Sequence, residues 1–154
     1  MTEYTISMEN GADNLQELIP LYSSHYVEFE KNLKSVGLNV GPYCPRYNEY
    51  ETAWKGGWLL NFVARKNGVA IGYSNVYITN DMSNGELVAQ ENNLFVLSEH
   101  RRGIGKKLFQ FAIEECKKRG AKMLLMSAAT DPRVVNLWKR MGAKEVAVCM
   151  AIPL

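Results

Sequence analysis

The stretch Leu94–Lys107, LFVLSEHRRGIGKK, changes character halfway along. Leu94, Phe95 and Val96 read as the end of a strand. After a short polar loop, Arg101-Arg102-Gly103-Ile104-Gly105-Lys106 runs directly into a helix whose apolar residues, Ile104, Leu108, Phe109, Ala112, Ile113 and Cys116, recur at helical spacing. Glycines let the backbone turn tightly and bring its N–H groups close to a ligand. The helix start adds unsatisfied donors and partial positive charge, and the arginines and lysine add full charge, so the segment favours a phosphate or diphosphate. Two familiar phosphate loops are excluded by spacing. No Gly-Lys-Ser or Gly-Lys-Thr occurs, and Leu108 stands where a dinucleotide fingerprint needs its third glycine.

Downstream, Gly120 stops the helix, with Glu114–Lys118 and Glu115–Arg119 expected as i,i+4 pairs on its outer side. Met123–Met126 is an uninterrupted apolar run, the pattern of a central strand covered on both faces. Pro132 opens another helix, Gly142 ends it, and Glu145–Ile152 reads as a last strand. Upstream, Tyr4, Ile6 and Met8 alternate as a short first strand. Ala12–Val36 is helical, with Pro20 expected to kink or split it. Gly41-Pro42 and Pro45 punctuate a loop before a short helix over Tyr47–Lys55. Trp58–Lys66 and Val69–Thr79 are strands joined at Asn67-Gly68, a hairpin signal because both residues tolerate positive φ. A second turn over Asn80–Gly85 leads into a strand from Glu86 to Leu97. A meander of antiparallel strands followed by strand–helix–strand predicts an α/β domain: a mostly antiparallel, twisted mixed sheet flanked by helices.

The chain has 154 residues, 47% of them hydrophobic and 22% charged, which suits one domain spanning 1–154 with a core of its own. A net charge of +2 is too small to make nucleic acid or an anionic membrane the main partner. Cys44, Cys116 and Cys149 are widely spaced, with no Cys/His cluster, so neither a metal site nor a disulfide framework is expected. The first ten residues lack the basic and apolar regions of a signal peptide, and no apolar stretch reaches the ~20 residues of a membrane helix. A cytoplasmic protein is the expectation.

Leu94, Val96, Glu99 and His100–Gly105 resemble motif A of the GCN5-related N-acetyltransferase (GNAT) superfamily, in which (Arg/Gln)-x-x-Gly-x-(Gly/Ala) opens a helix after a Leu-x-Val strand. Asp131–Ala143, DPRVVNLWKRMGA, resembles the family's following helix, and the order of elements is also the family's. The resemblance covers residues 58–152 well and the first 57 by topology. It implies acyl transfer from acetyl-CoA to the amine of a small molecule or protein. Pantetheine would lie beside Leu94–Phe95–Val96 like an added strand, and the diphosphate on Arg101, Arg102, Gly103, Ile104, Gly105 and Lys106. A homodimer is compatible with the family.

Departures from the family pattern leave choices open. His100 stands where Arg or Gln is usual and either contacts a phosphate or is an exposed loop residue. Asp131 falls where the family often places a cofactor-contacting Asn. Trp138 occupies the position of the usual acidic tyrosine, and an indole N–H cannot serve as that acid. An alkylamine is protonated at neutral pH, so a base is required. Glu91 is the first candidate and Glu86 the second; the face Glu91 presents depends on whether a bulge precedes Leu94. His25, Tyr26, Tyr43 and Tyr47 lie in an aromatic, acidic region suited to binding a cationic amine. The missing tyrosine keeps a second reading open, a catalytically silent acyl-CoA sensor.

Overall fold

Asn67 and Gly68 both take positive φ, 50° and 83°, and close the hairpin between strand β2 (Leu59–Lys66) and strand β3 (Val69–Asn80). The computed structural model describes residues 3–128 and 131–154. Around that hairpin, β1 (Tyr4–Glu9) pairs antiparallel with β2, β4 (Leu87–Val96) pairs antiparallel with β3, and β5 (Leu124–Leu125) adds to β4 in parallel, giving the order β1-β2-β3-β4-β5.

Alternation along the strands sends apolar side chains to both faces. On one face Phe62, Ile71, Val76 and Val96 pack against Ile104, Leu108, Ala112 and Cys116 of helix α3 (Ile104–Lys118). On the other, Val63, Tyr73 and Phe95 receive Leu18 and Leu21 of helix α1 (Gly11–Ser35), while Leu59 meets Ala53 and Trp54 of helix α2 (Tyr47–Lys55). Helix α4 (Pro132–Arg140) buries only Trp138. The mixed sheet flanked by helices is the architecture expected from the sequence.

Four local expectations need correction. Helix α1 breaks at Asn14 (φ −122°, ψ 17°) rather than at Pro20. The Asn14 side-chain amide donates to Glu9, drawing the first turn toward β1, and the helix continues through the proline. Along α3 the ion pairs are i,i+3, Glu114 with Lys117 and Glu115 with Lys118. The run Met123–Met126 contributes only a two-residue, half-buried strand at the sheet edge, not a covered central one. Among the described residues no ladder forms over Glu145–Ile152: β5 is only two residues long, and Gly142 (φ 94°) turns the chain at the end of α4.

Candidate functional site

Three consecutive polar residues, Glu91, Asn92 and Asn93, interrupt the apolar pattern of β4, and the ladder slips there. Asn75 faces Asn93 while Val76 faces Glu91, leaving Asn92 as a bulge. Asn93 fixes the bulge by accepting the Asn75 N–H through Oδ1 at 3.0 Å and the Ser74 hydroxyl through its carbonyl at 2.8 Å. The slip turns the Glu91 side chain onto the face of Val76 and Ala89, the α3 side.

Beside Glu91 the sheet opens. Strand β5 pairs with β4 only at Ala89–Leu124 and Gln90–Leu125, and beyond these the two strands part. The Glu91 carboxylate lies in this gap and accepts the Ser127 N–H at 3.4 Å. Half-buried there, its carboxyl is pushed up to about 7 by desolvation, against the smaller opposing effect of the Ser127 amide. Past the bulge, Leu94–Val96 pair with β3 on one edge. Their other edge faces the gap, where an extended amide chain can bond like a strand.

The same strand leads to the helix start. After a short 3-10 turn over Ser98–His100, Gly103 takes φ 83° as the N-cap of α3. That conformation favours glycine. No side chain caps it, and the helical ladder begins only with Lys107 N–H donating to Gly103 O at 3.1 Å. Arg102, Lys106 and Lys107 stand exposed around these amides. The donor set, open N–H groups with cations beside them and a free strand edge leading up to them, fits a diphosphate joined to an extended amide chain.

Across the sheet, β4 presents Phe95 to α1. The His25 ring stacks on Phe95 at 5.0 Å between centroids, and its Nδ1 shares a 2.7 Å hydrogen bond with the Tyr73 hydroxyl. Burial lowers the His25 pKa and favours neutral imidazole. Arg101 joins this group rather than the loop: its Nε donates to Val96 O at 2.7 Å, it pairs with Glu28, and it lies 5.6 Å from the centre of the Phe95 ring. Nearby is a cavity of about 450 Å³ whose lining includes Tyr26, Tyr43, Glu49, Tyr50, Trp58 and Tyr77. Tyr77 is paired with Gln90, the neighbour of Glu91, so the cavity lies at the level of Glu91 on the opposite face of β4.

The residues singled out from sequence thus separate. Glu91 and Leu94–Val96 follow one another along β4, and Arg102–Lys106 come next in the chain at the start of α3. Glu86 lies elsewhere, exposed before β4 in the Asp81–Glu86 turn. Asp131 is the N-cap of α4, accepting the Arg133 N–H at 2.9 Å and pairing with its guanidinium. Asn would cap equally well, and the ion pair with Arg133 is what the carboxylate adds. Trp138 is buried against Phe109 at 4.5 Å and donates its indole N–H to Ser127 O at 3.1 Å, anchoring the β5 side of the gap. His100 is half-buried with Nδ1 3.5 Å from the Tyr4 hydroxyl. Tyr26 and Tyr43 line the cavity, Tyr47 touches it through a 2.9 Å bond to the Tyr43 hydroxyl, and His25 sits apart from it. Sequence reading missed Ser127, for which no signal exists, and Trp58 and Tyr77, which pass as ordinary strand aromatics. Among the described residues no cluster of His, Cys, Asp and Glu could hold a metal ion.

A sequence model of the Acetyltransferase (GNAT) family matches residues 20–143. Solved structures share the fold at low identity. A ribosomal-protein-alanine N-acetyltransferase from Brucella melitensis biovar Abortus 2308 is 19% identical, with TM-score 0.73 and 99% of each chain covered. An aminoglycoside acetyltransferase from an uncultured soil metagenomic sample, in complex with sisomicin, is 18% identical, with TM-score 0.74 over 99% of this chain and 96% of that one. A GCN5-related N-acetyltransferase from Ralstonia eutropha JMP134 is 18% identical, with TM-score 0.72 over 100% of this chain and 99% of that one. No curated protein matches this sequence significantly.

Proposed function

The chain belongs to the acetyltransferase (GNAT) family, and on that premise we propose that it transfers the acetyl group of acetyl-CoA to the primary amine of a small cationic molecule. The observation that carries the reading is Glu91: a desolvated carboxyl, raised to about 7, standing where β4 and β5 part and on the strand that leads to the uncapped start of α3.

Bound acetyl-CoA supplies the acyl group as an activated thioester. The amides of Ile104, Gly105 and Lys106, with Arg102 and Lys106 beside them, hold its diphosphate, and the free edge of Leu94–Val96 holds its amide-bearing arm. Glu91 takes one proton from the substrate ammonium, directly or through a water, which frees the nitrogen lone pair for attack on the thioester carbonyl. A group with pKa near the working pH is suited to that transfer. Backbone N–H groups on the free edge of Leu94–Val96 would receive the developing oxyanion. The C–S bond breaks as the C–N bond forms, and the departing thiolate needs one proton. Trp138 does not supply it, being buried and lacking a dissociable proton at neutral pH. Protonated Glu91 or solvent in the gap returns it, and the nitrogen, still carrying one proton too many once the C–N bond has formed, releases that second proton to solvent.

The aromatic cavity supports a small acceptor. Tyrosine and tryptophan faces with Glu49 attract an ammonium group by cation–π and charge interactions, and about 450 Å³ suits a small ligand. The placement of Trp138 also favours a second reading, an acyl-CoA sensor without turnover. Incubating the protein with acetyl-CoA and a broad panel of amines, with detection of released thiol, separates the two. Turnover with a small cationic amine supports the enzyme; acetyl-CoA binding with no thiol release across the panel supports the sensor.

A further inference from the structure

Two asparagines interrupt the apolar pattern of the central hairpin, Asn61 in β2 and Asn75 in β3. The register sets them opposite each other, one same-face rung inward from the Leu59–Tyr77 pair that lines the aromatic cavity. Both are buried, 1% and 0% exposed. The Trp54 indole N–H donates to Asn75 Oδ1 at 3.0 Å and fixes that amide. Tyr22 packs over the same rungs: its ring meets Tyr73, two residues before Asn75, edge-on at 4.5 Å and joins the cluster of Leu59, Ala53 and Trp54. Asn75 Nδ2, both amide atoms of Asn61 and the Tyr22 hydroxyl are buried with no hydrogen-bond partner among the described residues.

A leucine would fill the position of Asn61 without penalty, whereas a buried polar group left unpaired forfeits its hydration. Four such atoms together mark a place where an incoming group completes the bonds. The set is neutral and mixed. The amide N–H groups donate, the Asn61 carbonyl oxygen accepts, and the hydroxyl does either. An ammonium would find too few acceptors there and a carboxylate no opposite charge, so the fitting ligand is a neutral hydrogen-bonding group, in the simplest case a hydroxyl.

We infer that Asn61, Asn75 and Tyr22 form an inner subsite of the aromatic cavity that binds a neutral hydroxyl carried by the acceptor amine, an inference that rests on the reading of that cavity as the acceptor site. Tyr50 is the partition between the two spaces. It lines the cavity and stacks on Tyr22 at 6.3 Å, and rotation of its half-buried ring admits the acceptor's tail. The span follows from the sheet. Asn61 lies on β2, two strands in from β4, which places the hydroxyl roughly 10 Å from a nitrogen held at the gap beside β4.

Matched primary amines test this on the full chain. The probes are ω-amino alcohols of about six to eight carbons, which cover that distance when extended, and the n-alkylamines of the same length. Each is assayed with acetyl-CoA by thiol release. The amino alcohols should be preferred about 10–100-fold in kcat/KM, and Asn61→Leu should bring the ratio close to one. Isotope-labelled wild type gives a readout that needs neither turnover nor the variant: the Asn61 and Asn75 side-chain amide signals should shift saturably with the amino alcohol and stay in place with the alkylamine. Those shifts without thiol release from any amine would remove the acetyl-transfer reading and leave the subsite standing. Equal kcat/KM within the matched pairs, a preference that survives in Asn61→Leu, or side-chain amides unmoved by the amino alcohol would each overturn the inference.

Discussion

Replacing Glu91 by Gln keeps the side chain's shape and an acceptor for the Ser127 N–H while removing the ionisable proton. Two consequences follow from a carboxyl held at about 7. In catalysis, the ionised fraction rises from ~0.1 at pH 6 to ~0.9 at pH 8, so wild-type kcat/KM climbs about tenfold in that window before the amine's own titration adds to it. The variant should lose ~10²–10⁴-fold in rate at pH 8 and keep only the amine's contribution to the profile. In stability, the folded-state value lies above the ordinary 4.5. The folded protein therefore holds this proton when the unfolded chain has released it, and stability falls as pH rises from about 4.5 to 7. At 1.36 kcal/mol per pKa unit the full penalty is up to about 3 kcal/mol, reduced by the solvent that reaches a half-buried group. Urea unfolding of both proteins at pH 4, 6 and 8 should show the Gln variant gaining ~1–3 kcal/mol on wild type at pH 8 and almost nothing at pH 4. Equal activity across pH 6–8, or parallel stability curves, would refute the placement of Glu91 as a desolvated base.

Three further outcomes are expected. Arg102→Ala with Lys106→Ala should raise the acetyl-CoA Kd about tenfold in calorimetry, and the gap should narrow in high salt because both side chains are exposed. Gly103→Ala should cost ~1–2 kcal/mol, since alanine is strained at φ 83°, with Tm lower by about 3–6 °C and weaker acetyl-CoA binding in the same protein. Arg65 bridges Glu9 and Glu17, and its hydrogen bonds hold both carboxyls below the usual range. Such groups stabilise above the unfolded pKa and lose the contribution as pH falls through the folded one. Arg65→Met should therefore cost ~1–3 kcal/mol at pH 7, with the difference closing below about pH 4.5 in urea titrations.

The features legible in sequence are those set by local chemistry. Asn67-Gly68 requires positive φ in a tight hairpin, and it has it; Gly103 opens a helix, and it does so in the left-handed conformation. The switch from alternation to helical spacing after Leu97 marked the boundary between β4 and α3 correctly. What escaped depends on contacts between distant segments. The break in α1 follows from Asn14 reaching Glu9, not from the proline visible in the sequence. Glu91 could be chosen as a candidate, but its face was undetermined until the bulge at Asn92 was located. Asp131 reads as an odd neighbour for a polyanion until Arg133 shows it capping a helix. The strand pattern over 145–152 finds no ladder among the described residues, where β5 runs for only two residues.

Titrating the isotope-labelled protein with coenzyme A and following backbone amides by NMR interrogates the ligand path most directly. The account predicts saturable shifts concentrated at Leu94–Val96 and Arg102–Lys106, with Glu86 unmoved. Saturation with those amides unchanged, or no binding at millimolar ligand, would contradict it.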